Sequence, residues 1–194
     1  MGMPATSNQY WLPADLEQFP EGDGCKYECI YGELLVTPAP RVVHAVALGR
    51  LDRILDRAGA KHRVIIATAD VRLEPDAVVQ PDLFVLREPG TGRTRLDDPT
   101  CLVLIAEVLS PSTAKVDRGL KRQFYQRVGV PEYWIVDLDA RLIERWTPAD
   151  ERPEILRERL AWTDPVTGAE LVLDVERYFA DVWGDETLAR CADA

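Results

Sequence analysis

The sequence predicts an α/β fold built around a mixed sheet, and three stretches carry that reading. Residues 101–109, CLVLIAEVL, form an almost unbroken apolar run, the pattern of a strand covered on both faces. PEYWIVD, at 131–137, reads as a second buried strand, and the amphipathic segment DRGLKRQFYQRV lies between the two. Residues 41–58, RVVHAVALGRLDRILDRA, place Val43, Ala47, Leu51, Ile54, Leu55 and Ala58 at spacings of three and four, which gives a helix with one apolar face. Helices and strands interleaved in this way indicate an α/β core.

The elements follow in chain order. WLPADLEQFP reads as a short helix ended by Pro20 and Gly22, preceded by a loose N-terminal dozen residues. In KYECIYGELLVT two β-prone runs flank Tyr31-Gly32, a two-residue hairpin signal. TPAP interrupts the pattern before the first long helix. HRVIIAT, ADVRL and PDLFVLR read as strands, the last opening on a proline where a missing N–H costs least. Residues 88–100 form a loop rich in Gly, Pro and Asp, and SPSTAK reads as a connector after the apolar run. In the second helix Leu120, Phe124 and Val128 form the apolar stripe, and Gly129 stops it. RLIERWT, EILRERL and AELVL read as antiparallel strands, and DVERYFADVW as a terminal helix.

With 194 residues, the chain fits one domain at 24–182, an N-terminal extension at 1–23 and a tail at 183–194. A domain of this size buries roughly 70% of its unfolded surface and needs no disulfide or structural metal. The four cysteines, Cys25, Cys29, Cys101 and Cys191, match no zinc or redox spacing, and there are only two histidines. Free thiols in a reducing cytoplasm are expected, with a Cys25–Cys29 disulfide as the alternative. The first residues lack the basic and apolar regions of a secretory leader, and no apolar run approaches the roughly 20 residues that span a bilayer. A cytoplasmic protein with no membrane partner is the expectation. The net charge of −10 argues against a broad basic footprint on nucleic acid but leaves room for a small local site.

Most charged residues read as solvated faces, but Glu107 does not. By two-residue alternation it shares a face with Val103 and Ile105 inside the apolar run. A carboxylate there costs several kcal/mol (~3 or more) unless it is paired, protonated or bound to a cation. Asp82 opens another apolar strand, and two strands of one sheet can bring the two acids side by side. Two clustered carboxylates repel unless a cation lies between them, and oxygen ligands without a His or Cys set favour Mg²⁺ or Mn²⁺ over zinc. Asp117, Lys121 and Tyr125 form a stripe at spacings of four, bordering the apolar one, so Lys121 could reach the sheet end with its stem packed on apolar surface. Simpler readings stand beside these. Asp82 could begin a turn, Asp117 and Lys121 could be an exposed helix pair, and Glu107 could pair with a buried arginine. His44 reads more simply as a partly buried, satisfied histidine than as a base. Arg118 and Arg122 flank Lys121 and could steer phosphates, although solvated arginines are the default.

These residues also carry a resemblance. KYECIYGELLVTPAP, then His44, PDLFVL, and LVLIAEVLSPSTAKVDRGLKRQFYQRVGVPEYWIVD resemble the Uma-two family of restriction-endonuclease-like proteins, within the PD-(D/E)XK nuclease superfamily. The resemblance covers roughly residues 24–180 and rests on the long second motif rather than on the bare Pro-Asp. It implies a mixed sheet flanked by helices with a metal site at one end. On that pattern Asp82 matches the metal-binding aspartate and Glu107 the second acid, with the Val108 carbonyl as an extra ligand. The lysine normally two residues after the acid is replaced by Leu109. Lys121 on the following helix matches the family's lysine, whereas the nearer Lys115 does not. Glu28 matches an acid of the hairpin that completes the site. Cys29 and Tyr31 depart from the family's usual Leu and Asp. The implied activity is Mg²⁺- or Mn²⁺-dependent endonucleolytic hydrolysis of DNA. The alternative is a catalytically silent nuclease-fold module for binding or assembly. Aromatic residues of the second half (Tyr133, Trp134, Trp146, Trp162) suggest self-association, with a homodimer as the expected assembly.

Overall fold

A computed structural model describes residues 9–20, 22–60, 63–66, 69–88 and 96–185. The N-terminal eight residues, most of the 88–100 loop, His62, Cys191 and the tail beyond 185 lie outside the described residues.

The hairpin read around Tyr31-Gly32 forms. Strand β1 (Cys25–Ile30) pairs antiparallel with β2 (Glu33–Pro38), and both turn residues take positive φ, 50° at Tyr31 and 83° at Gly32. Such a turn matches the twist of the strands, and a Cβ at Gly32 would collide with the Tyr10 ring. On its other side β1 pairs with β5 (Ala77–Val79), and β5 pairs with β4 (Val71–Glu74), giving a four-stranded sheet in the order β2-β1-β5-β4. The β5 strand is absent from the sequence reading. Its three residues are too few to show a period beside the Glu74–Asp76 turn.

The apolar runs build a six-stranded sheet in the order β10-β9-β8-β7-β6-β3. Its centre is β7 (Leu102–Val108), antiparallel to β6 (Leu83–Leu86) and parallel to β8 (Tyr133–Asp137). The edges are β3 (Val64–Ile66) on one side, and β9 (Leu142–Trp146) with β10 (Glu154–Leu156) on the other. EILRERL is therefore not one strand. It divides after Leu156, and β11 (Arg159–Thr163) pairs instead with β12 (Glu170–Asp174) in a separate two-stranded ribbon.

One apolar cluster joins a face of the large sheet to α1 (Val42–Leu55), to the β11–β12 ribbon and to the terminal helix, Val175–Trp183. The other joins the opposite face to the small sheet and to the helix after β7. Trp134 is completely buried in the first and Phe124 in the second. Each such side chain contributes roughly 1.5–3 kcal/mol by leaving water. Val103 belongs to the first cluster, not to the Ile105 face, because the β6–β7 register slips between Val85 and Leu86. The segment Pro13–Gln18 is a 3-10 helix rather than an α-helix. It is docked by Phe19, whose ring stacks on Tyr27 at 4.2 Å, and of the dozen residues expected to be loose, those described include Trp11, which bridges to Gly32.

The helix after β7 starts inside the expected connector. Helix α2 (Ala114–Val116) passes through one π-helical turn, Asp117–Lys121, into α3 (Arg122–Arg127). This buries the polar stripe beside Phe124 of the apolar one. Asp117, Lys121 and Tyr125 are buried, whereas Leu120 and Val128 are only half-covered. The wide turn rotates the polar stripe inward, where the end of the sheet supplies charged partners for it.

Candidate nuclease-type site

Five elements deliver titratable side chains to one end of the large sheet. Asp82 immediately precedes β6, and Glu107 is the penultimate residue of β7. Leu83 pairs with Ala106, so the two acids are next to each other across the ladder, and the Asp82 N–H donates to Glu107 Oε2 at 3.3 Å. Glu28 and Lys26 come from β1. Their two-residue spacing puts them on one face of the hairpin. His44 opens the buried stripe of α1 (His44, Ala47, Leu48, Leu51, Leu55), and Lys121 closes the π-helical turn.

Around Asp82, Oδ2 accepts from the Val108 N–H at 3.0 Å and lies 2.9 Å from His44 Nε2, while Oδ1 is in contact with the Lys26 ammonium. Around Glu107, Oε1 accepts from Lys121 Nζ at 3.0 Å and from the Tyr125 hydroxyl at 3.2 Å. Lys121 Nζ also lies 2.9 Å from Glu28 Oε1 and 3.9 Å from Asp117 Oδ1. Glu28 Oε1 takes a second bond from the Gln80 N–H at 2.7 Å, whereas Glu28 Oε2 and His44 Nδ1 are buried without a hydrogen-bond partner. A cavity of about 280 Å³ opens onto this group, walled by the 37–41 loop and by the Ser110–Thr113 turn.

The electrostatics follow from burial. Desolvation pushes the Asp82 carboxyl up, but the hydrogen bond from His44 and the charge of Lys26 outweigh it and hold the group well below its usual range. Glu107 goes the other way. Burial raises it to about 8 despite Lys121, and the negative charges of Asp82 and Asp117 add to the rise. Asp117 is raised to about 6, again chiefly by burial and against Lys121. Burial favours a neutral Lys121, yet Glu107, Glu28 and Asp117 together hold it firmly charged.

The structure therefore brings Glu28, Asp82, Glu107 and Lys121 into one cluster, with Val108 present through its N–H. Lys115 is exposed on the same helix, away from the cluster's buried face. Arg118 is taken up by Glu144 and Asp137, at 2.6 and 2.7 Å. Arg122 lies over the Trp146 ring and donates to Gln126, partners that carry no charge. Cys25 and Cys29 are not joined. Sequence reasoning missed Lys26, which its alternation with Glu28 along β1 could have marked; His44 is buried as expected, with Nε2 bonded to Asp82 but Nδ1 without a partner.

The family model described as "Uma2: Putative restriction endonuclease" matches residues 13–176. The chain belongs to the Uma2 family. A relative described as "Uncharacterized protein sll1609", from Synechocystis sp. (strain ATCC 27184 / PCC 6803 / Kazusa), is 28% identical over 141 residues, covering 69% of this chain and 78% of its own. A crystal structure described as a putative nuclease, from Anabaena variabilis ATCC 29413, superposes with a TM-score of 0.70 at 18% identity, over 87% of this chain and 97% of that one. The mixed sheet flanked by helices is thus the fold expected of a Uma2 protein. Among the described residues no helix is long and apolar enough to cross a membrane.

The donors fit a hard divalent cation in kind. Four buried carboxylates (Glu28, Asp82, Glu107, Asp117) face two ammonium groups, and one carboxylate oxygen, Glu28 Oε2, has no partner. As the side chains stand, no three His, Cys, Asp or Glu residues among those described are grouped so as to hold a metal.

Proposed function

We propose that this Uma2 protein is a divalent-metal-dependent endonuclease that hydrolyses DNA phosphodiester bonds in the cavity above Asp82 and Glu107. The observation that supports it most is the buried acidic pair, Asp82 N to Glu107 Oε2 at 3.3 Å, with the Lys121 ammonium 3.0 Å from Glu107 Oε1. Asp82 and Glu107 would hold Mg²⁺ or Mn²⁺, with the Val108 carbonyl as a further ligand and Glu28 supporting a ligand or water. Bound there, the ion would supply Lewis-acid polarisation of the scissile phosphate and neutralise its charge.

The chain's own groups do the rest. His44 Nε2 and the Val108 N–H fix the orientation of Asp82. The Tyr125 hydroxyl and Lys121 fix Glu107. Lys121, held charged by three acids, presents a preorganised positive charge to the negative charge that develops as water attacks phosphorus. Attack is direct, with no covalent enzyme intermediate.

A second reading has its own support. The acids are already met by Lys26 and Lys121, which suits a nuclease-fold binding module without turnover. Supercoiled DNA with Mg²⁺ or Mn²⁺ separates the two. Nicking by wild type and its loss in Glu107→Gln is the expected result. Intact plasmid with folded wild-type protein in both metals overturns the hydrolytic reading in favour of the module.

A further inference from the structure

Asp82 and Lys26 are in a contact that the nuclease reading does not use. Asp82 has two side-chain nitrogen partners, His44 on Oδ2 and Lys26 on Oδ1, beside the Val108 N–H on Oδ2, whereas Glu28 Oε2, from the residue two positions along β1, has none. An ammonium group thus sits on an oxygen of a carboxylate that would hold the metal. The two site lysines are also anchored differently. Lys121 is 6% exposed and sits among Glu107, Glu28 and Asp117. Lys26 is 18% exposed, lines the cavity, and has one further tie, the Gln80 carbonyl at 3.1 Å. Its four-carbon stem lets the ammonium swing into the cavity without moving the strand.

The geometry points to Lys26 as a tethered counter-cation. It occupies the cation position of Asp82 in the metal-free protein and is displaced when a divalent ion binds, and so it sets the metal concentration at which the site fills. This rests on the metal-site reading above. A neighbouring cation weakens a carboxylate's hold on a proton by roughly ten- to a thousandfold. An ion competing for the same oxygen is weakened in the same way.

The test uses Mn²⁺ alone as the probe, titrated by calorimetry into wild type, Lys26→Gln and Lys26→Arg. Lys26→Gln binds Mn²⁺ about tenfold tighter or more, at the low end of that range. Lys26→Arg, which keeps a tethered cation, stays close to wild type. In wild-type protein, acetylation of Lys26 by acetic anhydride, read by mass spectrometry, rises when Mn²⁺ is added. Equal or weaker Mn²⁺ binding by folded Lys26→Gln, or Lys26 labelling that Mn²⁺ leaves unchanged while wild type binds the ion, overturns the inference and leaves the metal site standing. If neither wild type nor Lys26→Gln binds Mn²⁺ at millimolar concentration, the metal-site reading fails and this inference with it.

Discussion

Arg63 and Asp164, 101 residues apart in the chain, form a buried ion pair outside the acidic cluster, and the two networks are satisfied to different degrees. Arg63 also donates to the Leu86 and Gly59 carbonyls, and Asp164 accepts from the Val166 N–H. It is one charge against one, with backbone groups taking the remaining capacity. Burial pushes Asp164 up, but the Val166 N–H and Arg63 outweigh it and leave the carboxyl below its usual value. The cluster of Glu28, Asp82, Glu107 and Asp117 sets four acids against two lysines, leaves Glu28 Oε2 and His44 Nδ1 without partners, and pushes Glu107 and Asp117 up. Both networks are buried, so burial does not distinguish them. What differs is the charge balance, and a deficit of positive charge at one end of a cavity marks the network that has room for something else.

The largest expected effects come from removing one cation from each network. Arg63→Met and Lys121→Met each leave buried carboxylates uncompensated and should cost about 3–5 kcal/mol in urea unfolding. Mn²⁺ should restore part of the loss in Lys121→Met and none in Arg63→Met. Equal recovery in both, or in neither, removes the distinction between the networks.

Glu107→Gln sharpens the comparison from the acid's side. Cleavage should fall by roughly 10²–10³-fold, the scale for losing one preorganised electrostatic element of a site. The metal-free variant should be no less stable than wild type near pH 8, because the replaced carboxyl is one whose ionisation the fold opposes. A structural acid of the Asp164 kind would behave oppositely, with stability lost and chemistry untouched.

Much of this was legible in the sequence. The apolar runs around Leu102–Val108 and Tyr133–Asp137 are long enough that only a buried strand accommodates them, and both form. Glu107 stood out because a charge inside such a run breaks the pattern, and Asp82 because it precedes one. Three things were not legible, each for a reason of scale. β5 has three residues, too few for a period to show. The break between β10 and β11 depends on which sheet each half joins, a tertiary choice that leaves both halves equally β-prone. The π-helical turn at Asp117–Lys121 inserts a fraction of a turn that spacing arguments at 3.6 residues cannot register, and it buries the polar stripe beside the apolar one. Lys26 was hidden by its type, because a lysine near a hairpin is nearly always solvated.

A smaller effect, the pH dependence of stability, distinguishes the networks without mutating either. Glu107 is raised from 4.5 to about 8 and Asp117 from 3.8 to about 6, so the folded protein keeps protons that the unfolded chain has released. Stability from these groups is complete below their unfolded values and is lost as pH rises through the folded ones, so it should decline from about pH 5 to pH 8 in metal-free protein. Asp82 and Asp164, both lowered, contribute above their ordinary values and lose that contribution only in acid, outside this window. Glu107→Gln should flatten the upper part of the decline. Saturating Mn²⁺ should flatten it as well, because a bound cation replaces the protons. A flat profile in metal-free wild type would show that the cluster is as well balanced as the Arg63 pair.

The smallest effect concerns two lysines on one helical segment. Lys115 is nearer to Glu107 in sequence and lies on the α2 turn beside the cavity wall, yet it is exposed, while Lys121 is buried against three acids. If proximity along the chain chose the site lysine, Lys115→Ala would abolish cleavage. If the π-helical turn chooses it, by rotating Lys121 inward, Lys115→Ala should change stability by no more than about 0.5 kcal/mol. Cleavage should then keep its wild-type dependence on Mn²⁺ concentration, with any loss confined to KM and enlarged at low salt, as for an exposed charge that meets only the DNA backbone. A fall in kcat instead would place Lys115 in the chemistry and make the buried Lys121 a structural ion-pair partner comparable to Arg63.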